Sequence, residues 1–295
     1  MHVFDDFDAW GDAVSGASLR LACDAVEVRR WTLGVLDLGD VSLQMATEGG
    51  GNLCYGGSMS ERTMLFLPLN HTTGHVVNGE PLDDESLLVI PHGADFRITV
   101  RRRAHAWCSI SLPVTAQSGD AWIARDSEHV PRLRHLVNEV SLSLLDRPAG
   151  SSAHAAAGRR LADEAASLLE RPAGSCARSG RPRFDRSQII RRAMEVLDST
   201  PICPSTTDLA HVVGVTARTL LRTFQESFGV SPKRYLLLRE LHAVHRELAG
   251  GGKDADTTVA DVLTRHGIWE FGRFAARYRR QFGELPSATL RRCRG

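Results

Sequence analysis

Asp208-Leu209-Ala210-His211-Val212-Val213-Gly214-Val215-Thr216, followed by Leu220, Phe224 and Gly229, is one half of a pattern that occurs twice. The other half is Val259-Ala260-Asp261-Val262-Leu263-Thr264-Arg265-His266-Gly267-Ile268, followed by Phe274, Tyr278 and Gly283. Each half has a short apolar run at helical spacing, a Gly where a turn would fall, and a second run rich in Arg. That order of features describes a helix-turn-helix. Ala210 lies four residues before Gly214, where a small side chain lets two helices cross closely. Gly214 is free to take the positive φ of a tight inter-helix turn. Thr216 stands at the N-cap, ready to satisfy a free N–H of the next helix. Leu220 and Phe224 lie four apart and share an inward face, so Arg218, Thr219 and Arg222 point away from it. Arginine suits such a place, because its planar fork binds O6 and N7 of guanine or clamps a phosphate.

In the second half Gly267 marks the turn, Phe274 and Tyr278 face inward, and Arg273 and Arg277 are the outward candidates. Thr258, three residues before Asp261, predicts a capping box. Leu263 replaces the small Ala210, so the helix crossing is expected to be wider or differently angled. Between the halves, Tyr235 to Leu248 contains no helix breaker, and Gly250-Gly251-Gly252 ends it. About 14 residues at 1.5 Å each make a rod of roughly 21 Å. Successive major grooves lie about 34 Å apart, so a rigid spacer predicts a bipartite double-stranded DNA site read by one subunit.

Residues 184–295 resemble the AraC/XylS transcription regulators. The likeness rests on Gly229-Val230-Ser231-Pro232-Lys233-Arg234-Tyr235-Leu236, on Arg239 through Ala243, and on Phe274-Ala275-Ala276-Arg277-Tyr278-Arg279-Arg280-Gln281-Phe282-Gly283-Glu284-Leu285-Pro286-Ser287. In that family a Gly-x-(Ser/Thr)-Pro segment follows each reading helix. Gly229 to Pro232 fits it, and Gly283 to Pro286 fits with Leu285 in place of the hydroxyl residue. By position the resemblance puts base reading on Arg218, Leu221 and Arg222, and on Phe271, Gly272, Arg273 and Ala276. Lys233 and Arg277 join them as DNA-binding candidates. Leu221, Phe271, Gly272 and Ala276 donate no side-chain hydrogen bonds, so specificity falls to the arginines and to apolar contact with thymine methyls.

Charge is partitioned in the same sense. Residues 184–295 hold 18 Lys and Arg against 12 Asp and Glu, while residues 1–183 hold 18 against 23. A basic half is the electrostatic footprint expected where phosphates are touched. No stretch approaches 18 uninterrupted apolar residues, and the first residues lack the basic and apolar regions of a signal peptide, so a cytoplasmic, nucleoid-associated protein with no membrane part is expected. Six scattered cysteines without a Cys-x-x-Cys fit reduced thiols rather than a disulfide frame or a zinc site. They also set the chain apart from the family's DNA-repair relatives, whose metal-bound methyl acceptor needs clustered cysteines.

Residues 1–125 read as strand-rich, with apolar runs at 26–28, 34–38, 41–45, 64–67, 87–90, 96–100 and 106–112 broken by turn residues. Such a rhythm implies a small β-barrel or sandwich and is similar to the cupin-like sensor common in the family. The fold class expected is therefore α+β, with a β-rich front domain, an all-α rear domain and a helical segment at 126–171 between them. There Val130, Leu133, Val137, Val140 and Leu144 step by three and four, a coiled-coil spacing that serves either a dimer seam or packing onto the barrel. Leu161, Ala165, Leu168 and Leu169 form a second stripe. Residues 172–183 have the composition of a flexible linker.

A ligand site in the front domain has only scattered candidates: Arg101, Arg103, Trp107 and His92. His71, His75 and His92 with Glu61 or Glu80 are the nearest approach to a metal set, but the strand-borne His-x-His pair of cupin enzymes is absent. No cofactor is implied. The expected protein is an effector-responsive regulator, dimeric, in contact with RNA polymerase if it activates. The rival readings are a cupin-type enzyme, or a sensor of a protein partner, with the helix-turn-helix part as a localising module.

Overall fold

The computed structural model describes residues 1–113, 119–144, 150–169, 186–200, 202–252 and 256–294. The chain divides into two compact units, Met1–Arg178 and Ser179–Gly295. The expected linker at 172–183 lies outside the described residues.

The first unit runs β1 (His2–Phe4), α1 (Phe7–Ala13), β2 (Ala17–Val26), β3 (Trp31–Asp37), β4 (Ser42–Glu48), β5 (Gly50–Ser58), β6 (Thr63–Pro68), β7 (His75–Val77), β8 (Glu80–Pro81), β9 (Ser86–Ile90), β10 (Asp95–Val100), β11 (His105–Leu112), β12 (Trp122–Arg125), α2 (His129–Leu144) and α3 (Ser152–Leu169). The strands form two antiparallel sheets, ordered β1-β3-β4-β11-β6-β9-β12 and β2-β5-β10-β7-β8. Their inner faces share one core, in which Trp10, Trp31, Phe66, Phe96 and Trp107 are prominent. The outer face of the seven-stranded sheet is covered by α2 and α3, making a third layer.

This layering explains the sequence. On β6, Met64 and Phe66 turn to the inter-sheet core while Leu65 and Leu67 turn to the helices. On β9, Leu88 and Ile90 point one way and Leu87 and Val89 the other. A strand buried on both faces reads as an unbroken apolar run, which is why these two were visible in the sequence. Val26-Glu27-Val28 is not a strand of its own: Val26 ends β2, and the backbone N–H groups of Glu27 and Val28 both donate to Gly49 O. Strand β5 escaped notice because it is rich in Gly. A Cβ on Gly50 would lie 2.0 Å from Ala25 O, and one on Gly56 would lie 2.5 Å from the Phe96 ring. Here glycine marks close approach of neighbouring atoms rather than a turn.

The apolar stripe of α2 packs on the sheet. Val130, Leu133, Val137, Val140 and Leu144 are all buried in the same core as Leu161, Ala165 and Leu168 of α3. Within the chain the side chains of that stripe are covered by the sheet and by α3. Asp126 caps α2 by accepting from the backbone N–H groups of Glu128 and His129. Gly158 lets α3 approach the chain after β3, since a Cβ there would lie 2.5 Å from Leu38 O.

The second unit is all helical among its described residues: α4 (Arg186–Ser199), α5 (Thr206–Val213), α6 (Ala217–Phe228), α7 (Pro232–Ala249), α8 (Val259–Arg265), α9 (Phe271–Phe282) and α10 (Pro286–Arg294). Helix α7 has 18 residues, so it spans about 27 Å rather than the 21 Å expected. Ser231 caps it, accepting from Arg234 N, and Pro232 occupies its first turn. Buried residues occur on several of its faces, from Tyr235 through Leu241 and Val244 to Leu248. It serves as the common wall of two helix-turn-helix units. No described helix is long and apolar enough to cross a membrane.

Candidate functional site

The two helix-turn-helix units close in the same way. In the first, Gly214 takes φ 79°, Gly214 N donates to His211 O and Val215 N donates to Ala210 O. In the second, Gly267 takes φ 72°, Gly267 N donates to Thr264 O and Ile268 N donates to Leu263 O. Leu263 thus takes the hydrogen-bonding place of Ala210 and is itself buried. Thr216 caps α6 through Thr219 N, and Thr258 and Asp261 form a reciprocal capping box at α8. Glu270 precedes α9 and makes no side-chain cap.

Each second helix is fixed from behind. Phe224 and Phe228 of α6 pack with Tyr235 of α7, their ring centres 4.9 to 5.6 Å apart. Behind α9 a buried polar chain runs from His245 Nδ1 to the Tyr278 hydroxyl at 2.6 Å, on to Thr289 Oγ1 at 2.9 Å, and to Glu284 at 2.7 Å. Phe282 stacks on His245 at 4.1 Å. The backs of α6 and α9 are thus locked by packing and satisfied hydrogen bonds, while their fronts face solvent.

On the α6 front, Arg218, Leu221 and Arg222 are exposed, and Thr219 is half-buried with its hydroxyl 2.9 Å from that of Thr216. Gln225 is exposed on the same face, seven residues after Arg218. It went unremarked in the sequence, although the helical spacing that selected Arg218 and Arg222 selects it too. On α9, Phe271, Gly272, Arg273 and Ala276 are exposed, as is Arg280 four residues further on. Arg277, expected to point outward, is half-buried. Its charge acts on Glu240 of α7, whose carboxyl is raised by burial and held back in part by that arginine. Lys233 is exposed in the first turn of α7. Trp269, 74% exposed beside the start of α9, is a second residue that sequence reading missed. Arg222 donates from Nε to Glu226 at 2.9 Å, and Arg273 to Glu270 at 3.0 Å.

The first unit holds a partly open cavity of about 60 Å³ between its two sheets. Of the scattered ligand candidates only Trp107 lines it. Arg101, Arg102 and Arg103 are exposed at the β10–β11 turn, where Arg102 has φ 56° and lies 3.8 Å from Asp24. His92 is exposed and hydrogen-bonded to Ser60 O. Of the metal candidates, His71 and Glu61 are exposed and Glu80 is half-buried. His75 is buried against His105, ring centres 5.1 Å apart. Burial, with the neighbouring His105 charge, lowers the His75 pKa to about 3.

One polar patch of the cavity comes from residues outside the sequence-based candidates. Glu48 on β4 and His105 on β11 are directly paired across the sheet, and Asn52 lies on β5. All three are buried. Trp107 Nε1 donates to Glu48 Oε1 at 2.7 Å, Asn52 Nδ2 donates to the same oxygen at 3.1 Å, and His105 Nε2 lies 3.4 Å from it. Burial alone disfavours a charged His105, but the Glu48 carboxylate outweighs it and holds the imidazole above its ordinary pKa. Alternation is the signal that would have found these groups: Gln44, Ala46 and Glu48 share one face of β4, as His105, Trp107 and Ser109 share one face of β11.

Comparison with known proteins bears on the second unit. Residues 209–292 match the family model described as "Helix-turn-helix domain". The XylDLEGF operon transcriptional activator of Pseudomonas putida is 34% identical over 86 residues, which is 29% of this chain and 26% of the relative. A probable thc operon regulatory protein of Rhodococcus erythropolis is 34% identical over 104 residues, 35% of this chain and 31% of the relative. The matches thus span about a quarter to a third of these relatives' lengths. Among solved structures, a probable AraC family transcriptional regulator from Rhodopseudomonas palustris shares 31% identity, covering 36% of this chain and 98% of that one, with a TM-score of 0.33. ToxT from Vibrio cholerae aligns over 95% of this chain and 99% of its own at 9% identity, with a TM-score of 0.32.

Proposed function

We propose that this chain, whose residues 209–292 form a helix-turn-helix domain of the AraC/XylS type, is a transcription regulator that binds double-stranded DNA. It reads a bipartite site with the exposed faces of α6 and α9 and responds to a small molecule held in the first unit. One observation carries this reading: the same helix-turn-helix closure occurs twice around α7, and each copy exposes arginine on its second helix while its apolar back is buried. Arg218, Arg222 and Gln225 are the base-reading side chains of the first copy, and Arg273 of the second. Leu221, Phe271, Gly272 and Ala276 supply close apolar contact. Lys233, Arg280 and Arg277 contribute charge toward phosphates, Arg277 less so because Glu240 shares it. Trp269 adds an apolar plate at the start of α9.

The charge partition supports DNA as the partner of the second unit, and the cavity supports a small molecule as the partner of the first. The relatives matched are named as transcriptional activators or regulators, which favours a role without catalysis and, for an activator, contact with RNA polymerase. Such a protein works in the cytoplasm on the nucleoid. Dimerisation uses a surface other than the α2 stripe, which packs on the sheet.

Selection of bound fragments from random DNA by the full-length chain tests the proposal. A two-part motif with half-sites about one helical turn apart is expected. Recovery of DNA without any shared motif, with and without candidate small molecules, would overturn it.

A further inference from the structure

The cavity of the first unit has a mostly apolar wall and two polar patches. Glu48, Asn52 and His105 make one; Ser15, Gln44 and Ser109 make the other, with Gln44 and Ser109 four residues away on β4 and β11. Its apolar walls include Trp10, Leu21, Phe66, Phe96 and Ile98. In the Glu48 patch Glu48 Oε1 is crowded with donors, receiving Trp107 Nε1 and Asn52 Nδ2 with His105 Nε2 close by. The other oxygen, Glu48 Oε2, and the amide oxygen Asn52 Oδ1 are buried and have no hydrogen-bond partner. Both belong to residues that line the cavity, and both residues are more than nine-tenths buried. Two unmatched acceptors in one mostly apolar pocket are costly unless a donor meets them.

The chemistry of a matching ligand follows. A carboxylate head brings more acceptors to a place where the two unmatched atoms are already acceptors. A wholly apolar ligand leaves both oxygens unmet. A primary ammonium offers three N–H donors for those two acceptors, and an aromatic body on it packs against the ring-rich walls. We infer that the cavity takes a small aromatic primary amine, its ammonium seated between Glu48 Oε2 and Asn52 Oδ1 and its ring against Trp107 and Phe66. The inference names the effector class for the regulator reading and rests on that reading only for its consequence at DNA. Binding itself stands or falls alone.

The test is calorimetric titration of the full-length chain with 2-phenylethylamine, 2-phenylethanol and phenylacetate, which differ mainly in the head group. The amine is expected to bind at least tenfold more tightly than phenylacetate, with the alcohol between them. Glu48→Gln keeps the shape and one acceptor for Trp107, and is expected to weaken the amine at least tenfold while narrowing the gap to phenylacetate. Ala17→Phe fills the cavity from its apolar wall without touching the Glu48 patch and is expected to abolish binding of all three; circular dichroism confirms that each variant is folded. Tighter binding of phenylacetate than of the amine, equal amine binding in wild type, Glu48→Gln and Ala17→Phe, or no binding by any of the three to the folded wild-type chain would each overturn the inference. Affinity of the chain for its selected DNA, measured with and without the amine, separates the two claims. DNA binding without amine binding sinks only the ligand class, and amine binding without DNA binding sinks only the regulator.

Discussion

Arg222 and Arg273 are each held by a neighbouring carboxylate on the helix surface, Arg222 by Glu226 and Arg273 by Glu270. The arginine side chains are 70% and 63% exposed, and ion pairs that open to water contribute little and part readily. They therefore orient the guanidinium groups without sequestering them. Arg222→Ala and Arg273→Ala are each expected to weaken binding to the selected site by about 1–3 kcal/mol and to relax preference at one base pair, measured by titrating the variants against single-substitution versions of the site. Two variants that keep both the affinity and the preference of the wild type would sink the assignment. Gln225 offers a contrast, since an amide can pair with N6 and N7 of adenine and has no carboxylate partner to leave. At the same scale the Glu48 patch of the cavity was hidden in the sequence for a simple reason. Glu48, Asn52 and His105 lie on three different strands; Glu48 and Asn52 are neighbours along the chain, but His105 is remote in sequence and only sheet pairing brings it to them.

At the scale of elements, the turn of each helix-turn-helix depends on one glycine, yet the two glycines are held to their identity differently. A Cβ on Gly214 would meet nothing within 4 Å, so only its φ of 79° resists substitution. A Cβ on Gly267 would lie 2.9 Å from Ile202 Cγ2, so space and φ both resist there. Gly214→Ala is expected to lower the unfolding free energy by about 1–2 kcal/mol, the left-handed cost of a residue with a Cβ, and Gly214→Asn by less, because Asn tolerates that conformation. Urea denaturation of the three proteins checks this; an Asn variant less stable than the Ala variant would contradict it. These turns were legible because glycine, cap residue and apolar spacing all agree locally. Strand β5 was illegible because its glycines answer to distant neighbours, Ala25 and Phe96, that the local sequence does not reveal. The α2 stripe was legible as a helix face but not as to its partner. Its spacing fits a second helix or a sheet equally well, and the sheet takes it.

Across the whole molecule, charge and architecture divide at the same place. The all-helical unit carries the excess of Lys and Arg, and the β-rich unit carries the excess of Asp and Glu. An acidic unit has no attraction to phosphate, so salt sensitivity should come from the helical unit alone. The cations placed for phosphate or base contact are Arg218, Arg222, Lys233, Arg273, Arg277 and Arg280. If each neutralises one phosphate charge, the logarithm of affinity falls against the logarithm of salt with a slope of roughly −5. Filter binding of the full-length chain to its selected site across a salt series measures that slope, and Lys233→Ala should flatten it by about one while leaving the preferred sequence unchanged. A slope near zero would mean that these side chains do not face the phosphates and that binding, if present, rests on apolar contact. A slope unaltered by Lys233→Ala would remove the first turn of α7 from the interface and confine the contact to the two reading helices.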